Sequence, residues 1–252
     1  MNIRLQKIYA WSVHLFTASG AVFGVLAILA ATQAYSAKMH DPSQYVYYLK
    51  LSFLYVALTI IIDAVDGTLA RMVDIKKLAP FDGALLDNII DFMTYAIVPA
   101  VWVYVADVVP DGYKSLCIAL IVLAASYQFC QADAKTEDHF FKGFPSYWNL
   151  AIFYLIYFEL GGAINIAIIA ILCISSFIPI KYVYPSRMEN VSRSKKIRMV
   201  ILILTIIWGA VTIYTAYMWP SSNVIATMVI AVYCLFYFGL SLYCTFRKPI
   251  KI

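Results

Sequence analysis

The 252 residues are 63% hydrophobic and 13% charged, with a mean hydropathy of +0.80; soluble domains run at about 45 to 50% apolar and about 25% charged, so an ordinary soluble enzyme is excluded and a polytopic membrane protein is indicated. The net charge of +5 is carried in short gaps between apolar segments rather than on one polar face, which argues against nucleic acid as a partner. Five cysteines, Cys117, Cys130, Cys173, Cys234 and Cys244, have neither paired nor metal-ligand spacing and read as packing residues.

Arg4 and Lys7 precede an apolar run from about Trp11 to Tyr35, which exceeds the roughly 7 to 15 residues of a signal-peptide core and predicts a first spanning helix. Further candidate spans of about 20 residues follow at Tyr45 to Ala70, Ala84 to Val108, Ser115 to Phe129, Trp148 to Leu160, Ala163 to Ile180, Met199 to Trp219 and Val224 to Phe246. They predict an all-α bundle of about eight transmembrane helices, with residues 1–252 forming a single integral membrane domain. With the N-terminus in the cytoplasm, sixteen of the nineteen basic residues fall on the inner side and only Lys38, Lys50 and Lys114 on the outer, the bias expected of a correctly oriented bundle. Both termini are then cytoplasmic. Trp102, Tyr104, Tyr113, Tyr217 and Trp219 fall near outer ends, where amphipathic rings anchor at the interface.

One stretch departs from this apolar pattern. Between Ile61 and Asp91 lie six of the fourteen carboxylates, and a carboxylate near the centre of a bilayer helix costs roughly 2.5 to 3.5 kcal/mol on insertion scales. At about 100° per residue, Asp63, Asp66, Gly67 and Ala70 share one helix face, and Gly83, Asp87 and Asp91 follow one another at i, i+4 steps on a second. Between them, Lys76, Lys77 and Pro80 can turn the chain in the cytoplasmic interface, so that two antiparallel helices bring four carboxylates together. Oxygen-only clusters suit hard cations such as Mg²⁺ or Mn²⁺, and two such ions could clamp a pyrophosphate. Small residues beside the acids let a nucleotide approach the backbone, and Arg71 offers a fixed cation for a phosphate. Intramembrane ion pairs fit less well, because Arg71, Lys76 and Lys77 are too few and too peripheral to neutralise four acids. A cation or proton pathway leaves the glycines and the arginine without a role. Asp74 and Asp82 read as solvated residues or helix caps.

Asp63-x-x-Asp66-Gly67-x-x-Ala70-Arg71 followed by Gly83-x-x-x-Asp87-x-x-x-Asp91 closely resembles the signature of the CDP-alcohol phosphotransferase family. Members join a CDP-linked group to an alcohol and release CMP at a dinuclear metal site in a helical bundle open to the cytoplasm. The resemblance implies that Asp63, Asp66 and Asp87 are metal ligands, and that Asp91 is a ligand or the base that takes the acceptor's proton. It assigns Gly67, Ala70, Arg71 and Gly83 to the CDP moiety, and it implies a homodimer. Eleven residues separate Arg71 from Gly83, more than in the common family pattern. That connection, the run APFDGALLDNIIDF and the later HFFKGFPSYWN are similar to those of bacterial members that convert CDP-diacylglycerol and choline to phosphatidylcholine, which implies the inner membrane as location. The resemblance begins at AWSVHLFTASGAVFG in the first span, and it implies that Thr17 borders the nucleotide.

A quaternary ammonium offers no hydrogen to donate, so its site should present ring faces and carboxylates, each cation–π contact being worth about 0.5 to 2 kcal/mol. Tyr95, Tyr147 and Trp148 are the candidate rings, with Asp133, Glu137 and Asp138 as attracting acids. Serine, inositol phosphate or glycerol phosphate as acceptor would call for basic residues instead. His14 reads as a hydrogen-bond donor at a helix end, and His139 as a surface residue. The basic cluster from Arg187 to Arg198 satisfies the positive-inside rule and could attract anionic lipid.

Overall fold

Long apolar segments can satisfy their backbone groups inside a bilayer only by coiling into helices or closing into a barrel, and here the lengths favour helices. A computed structural model describes residues 3–72, 78, 80–184 and 188–247, with the backbone alone at 71 and 72. Its elements are α1 (Ile3–Ala37), α2 (Pro42–Met72), α3 (Gly83–Phe92), a π-helical turn (Met93–Ile97), α4 (Val98–Val105), α5 (Asp111–Cys130), β1 (Phe140–Lys142), α6 (Trp148–Phe158), α7 (Gly162–Ser175), β2 (Lys181–Val183), α8 (Lys195–Met218) and α9 (Val224–Phe246).

Among the described residues, six helical segments are long and apolar enough to cross a membrane: α1, α2, the continuous run from α3 through α4, α5, α8 and α9. The other two expected spans form α6 and α7, of 11 and 14 residues, apolar but shorter than the roughly 20 of a full crossing. The fourth span is longer than hydropathy suggests. It starts at Asp111, directly after Pro110, and its polar first turn is neutralised because Lys114 is held by Asp107 at 2.6 Å and Asp111 at 2.7 Å.

The chain divides into two compact units, Met1–Ala106 and Asp107–Ile252. In the first, α1 and α2 pack antiparallel, as Tyr9 Oη donates to the Leu69 carbonyl and Ser52 Oγ to that of Ala27. The buried stripe of α1 is made of small residues, among them Ala10, Thr17, Gly20, Gly24, Ala27, Ala31 and Ala34, which let helix backbones approach closely in lipid. A Cβ on Gly24 would lie 2.4 Å from Met93 Cε, so the helix after Gly83 lies directly on α1 and runs parallel to it. Trp102, expected as an interfacial anchor, is instead 1% exposed; its indole donates to Ser52 Oγ at 2.7 Å and meets Phe53 edge-on. Tyr104, exposed, stays in reach of the Tyr35 hydroxyl, while Lys38 Nζ caps the Val105 carbonyl at the end of α4.

In the second unit, β1 and β2 pair antiparallel with Phe140 opposite Val183 and Lys142 opposite Lys181. Each lysine in that like-charged pair has its own carboxylate: Lys142 binds Asp133, and Lys181 binds Asp138. The free edge of β2 is completed by α9 side chains. Thr245 Oγ1 accepts from Lys181 N, Ser241 Oγ accepts from Val183 N, and Tyr237 Oη donates to the Val183 carbonyl. Phe140, Val183, Met188, Val191, Ile201 and Cys244 form the apolar core beneath. Trp219 is buried as well, against expectation, whereas Tyr113 and Tyr217 are exposed as anchors should be.

Candidate metal centre

Because α2 runs antiparallel to α1 and α3 runs parallel to α1, the acids of α2 and α3 meet face to face. Asp63 and Asp66 project from one side of α2, and Asp87 lies one turn into α3, whose first turn is fixed by Asp82: its carboxylate accepts from Leu85 N at 3.0 Å. One oxygen from each of Asp63, Asp66 and Asp87 lies within 4.8 Å of the others. Asp66 is buried, 6% exposed, and its Oδ2 has no hydrogen-bond partner among the described residues; the other two are half-buried.

A buried carboxylate oxygen without a donor loses its hydration for nothing in return, and three carboxylates this close repel one another. A hard divalent cation removes both costs. The donor set, all oxygen and drawn from two rigid helices, therefore fits Mg²⁺ or Mn²⁺. Asp91 sits one further turn along α3, half-buried, outside the group of three oxygens.

Around the trio, Tyr95 Oη donates to Asp63 Oδ2 at 3.0 Å. Thr17, buried on α1, lies beside the Asp66 carboxylate while donating to the Val13 carbonyl. Gly67 and Ala70 continue along α2, half-buried; the side chain of Arg71, together with Asp74, Lys76 and Lys77, falls outside the described residues. Gly83 has a local reason to be glycine, since a Cβ there would lie 2.7 Å from His14 Cε1. His14 is not at a helix end as expected. It is buried mid-helix on α1, its ring packed 4.7 Å from Phe81, with Nε2 unpartnered among the described residues. Its part in the site escaped sequence reasoning, which had no means of pairing residue 14 with residue 83.

The remaining aromatic candidates belong to the second unit. Tyr147 is half-buried with its ring edge-on to Phe141. Trp148 is fully buried against Phe144. The acids expected to attract a cation there are largely engaged. Hydrogen bonds from Lys142 and Gln131 hold Asp133 below the usual carboxylate pKa. Burial works to raise that of Asp138, but its bonds to Lys181 and Thr136 outweigh burial and leave it lowered. Glu137 is exposed.

Three relatives share much of the sequence. A phosphatidylcholine synthase of Legionella pneumophila is 39% identical over 248 residues, covering 98% of this chain and 92% of that protein. One from Legionella bozemanae is 43% identical over 205 residues, 81% of this chain and 93% of the relative. One from Borreliella burgdorferi is 38% identical over 216 residues, 85% and 84% of the two. No family model matches the chain.

Proposed function

The chain belongs to the phosphatidylcholine synthase family and is a CDP-alcohol phosphotransferase, and we propose that it transfers the phosphatidyl group of CDP-diacylglycerol to choline. The observation that carries this reading is the convergence of Asp63, Asp66 and Asp87 within 4.8 Å, in a chain whose relatives make phosphatidylcholine. In the reaction, the choline oxygen forms a bond to the phosphorus that bears diacylglycerol. The bond from that phosphorus to the bridging oxygen of CMP breaks, and CMP leaves.

Asp63, Asp66 and Asp87 would hold two Mn²⁺ or Mg²⁺ ions, and Asp91 would complete that set or, unbound, would accept the hydroxyl proton. Bound cations of this kind neutralise the pyrophosphate and favour departure of CMP. Gly67, Ala70 and Gly83 leave the backbone open to the CDP moiety, Arg71 pairs with a phosphate oxygen, and Thr17 borders the nucleotide. Tyr95 is the ring that the first unit offers to the trimethylammonium group; Trp148, fully buried against Phe144, has no ring face to offer. The enzyme is a homodimer in a bacterial inner membrane, with its site and both termini on the cytoplasmic side. The distribution of basic residues supports that orientation.

Purified protein in detergent, supplied with CDP-diacylglycerol and Mn²⁺, is expected to release CMP and form phosphatidylcholine with labelled choline. A product with serine and none with choline would overturn the acceptor. Asp91→Asn is expected to retain Mn²⁺ binding and lose turnover, and unchanged turnover would refute the base assignment.

A further inference from the structure

The hydroxyl of Tyr95 ends on a carboxylate oxygen of the acidic trio, and the backbone is distorted where Tyr95 departs from it. Tyr95 is the central residue of the π-helical turn, in which the Val98 N–H reaches back five residues to the Met93 carbonyl. Two causes are visible in the sequence. Pro99 has no N–H to continue the regular ladder, and Thr94 Oγ1 donates to the Ile90 carbonyl at 3.0 Å, competing for the same acceptors.

The consequence is angular. In an uninterrupted α-helix, eight residues at about 100° each leave Tyr95 about 80° away from the line of Asp87. The extra residue of a π turn sets the rotation back by up to about 100°, toward the stripe that faces α2. From there the phenol spans to Asp63 at 3.0 Å while the ring remains half-buried.

Resting on the metal reading above, we propose that Tyr95 is a positioning residue for the metal centre. Its O–H fixes the Asp63 carboxylate through Oδ2, so that this ligand would meet an ion with its orientation already set, and the π turn delivers that hydroxyl. A carboxylate ligand that is itself hydrogen-bonded loses less freedom on binding metal, and removal of such outer partners typically weakens metal affinity by about 10 to 100-fold.

The test separates the hydroxyl from the ring. Full-length wild type, Tyr95→Phe and Tyr95→Leu are titrated with Mn²⁺ in detergent without substrates, with free ion followed by electron paramagnetic resonance. Choline KM is then measured at saturating Mn²⁺. Expected are an Mn²⁺ Kd raised about tenfold or more in both variants, and recovery of Tyr95→Phe turnover as Mn²⁺ is raised. Wild-type Mn²⁺ affinity in Tyr95→Phe overturns the proposal. So does a pattern in which Tyr95→Leu alone raises choline KM and neither variant changes Mn²⁺ binding, which makes the ring a choline contact and nothing more. A wild type that binds no Mn²⁺ refutes the underlying metal reading and removes the basis of this one; intact metal binding without phosphatidylcholine synthesis refutes only the acceptor or reaction.

Discussion

Substituting Asp66→Asn should strengthen the metal-free protein and abolish its response to metal. With carboxylate oxygens within 4.8 Å and an effective dielectric constant of about 20, each ionised pair repels by about 3.5 kcal/mol. Asp66 faces two such partners, and an asparagine of the same shape removes both terms. Relaxation and the bond from Tyr95 relieve much of that repulsion in the wild type, so the net gain on substitution should be about 1 to 2 kcal/mol. By contrast, Mn²⁺ at 100 times its Kd should stabilise the wild type by about 2.7 kcal/mol and the variant scarcely at all. The order of stability therefore inverts when metal is added. Thermal unfolding in detergent, followed by tryptophan fluorescence with chelator and then with Mn²⁺, reads both halves. A variant less stable than wild type in chelator, or one with the full Mn²⁺ increment, would falsify the placement of Asp66 at a shared ion.

Gly143 and Gly161 form a matched pair with φ of +78° and +92°. A Cβ on Gly143 would lie 2.4 Å from the Ser176 carbonyl oxygen while one on Gly161 meets nothing within 4 Å; Gly161→Ala should cost only the left-handed strain, about 1 to 2 kcal/mol, and Gly143→Ala at least twice as much in the same unfolding assay. Equal costs would show that the Ser176 contact is immaterial. Ser52→Ala should destabilise by about 1 to 3 kcal/mol, because it strands the buried Trp102 N–H, and a midpoint equal to wild type would refute the role of that bond. The depressed pKa of Asp138 (usual value 3.8) means that its bond to Lys181 stabilises fully above about pH 4 and is lost as pH falls through the lowered value. The gap in unfolding midpoint between wild type and Asp138→Asn should therefore be widest near neutrality and close in acid; a gap that widens in acid contradicts the assignment.

The long helices and the acidic trio were readable because both depend on local spacing. A hydropathy run needs no partner to be recognised; Asp63 and Asp66 stand three residues apart on one helix face, and Asp87 stands four residues from both Gly83 and Asp91 on the next. What stayed hidden depends on contacts distant in sequence. Trp102 looked like an interfacial anchor because its position near a helix end is local, whereas Ser52 and Phe53, which bury it, are some fifty residues earlier. The three-residue strands are too short to show alternation, and Phe140 becomes a strand residue only through Val183. Tyr95 was legible as an aromatic at the right depth, but its aim at Asp63 requires the π turn, and one Pro and one Thr do not announce such a turn in advance.

The way α9 closes the β-ribbon has a metric basis. Ser241 and Thr245 are one α-helical turn apart, about 6 Å along the axis, and the amides they accept from, Val183 and Lys181, are two strand residues apart, about 6.6 Å. The two repeats nearly coincide, so a helix does for this edge what a third strand would do elsewhere. That commensurability also works as a ruler. Sliding α9 by one residue would misalign both hydroxyls at once and lift Tyr237 from the Val183 carbonyl, so the ribbon fixes the depth at which this last helix can sit.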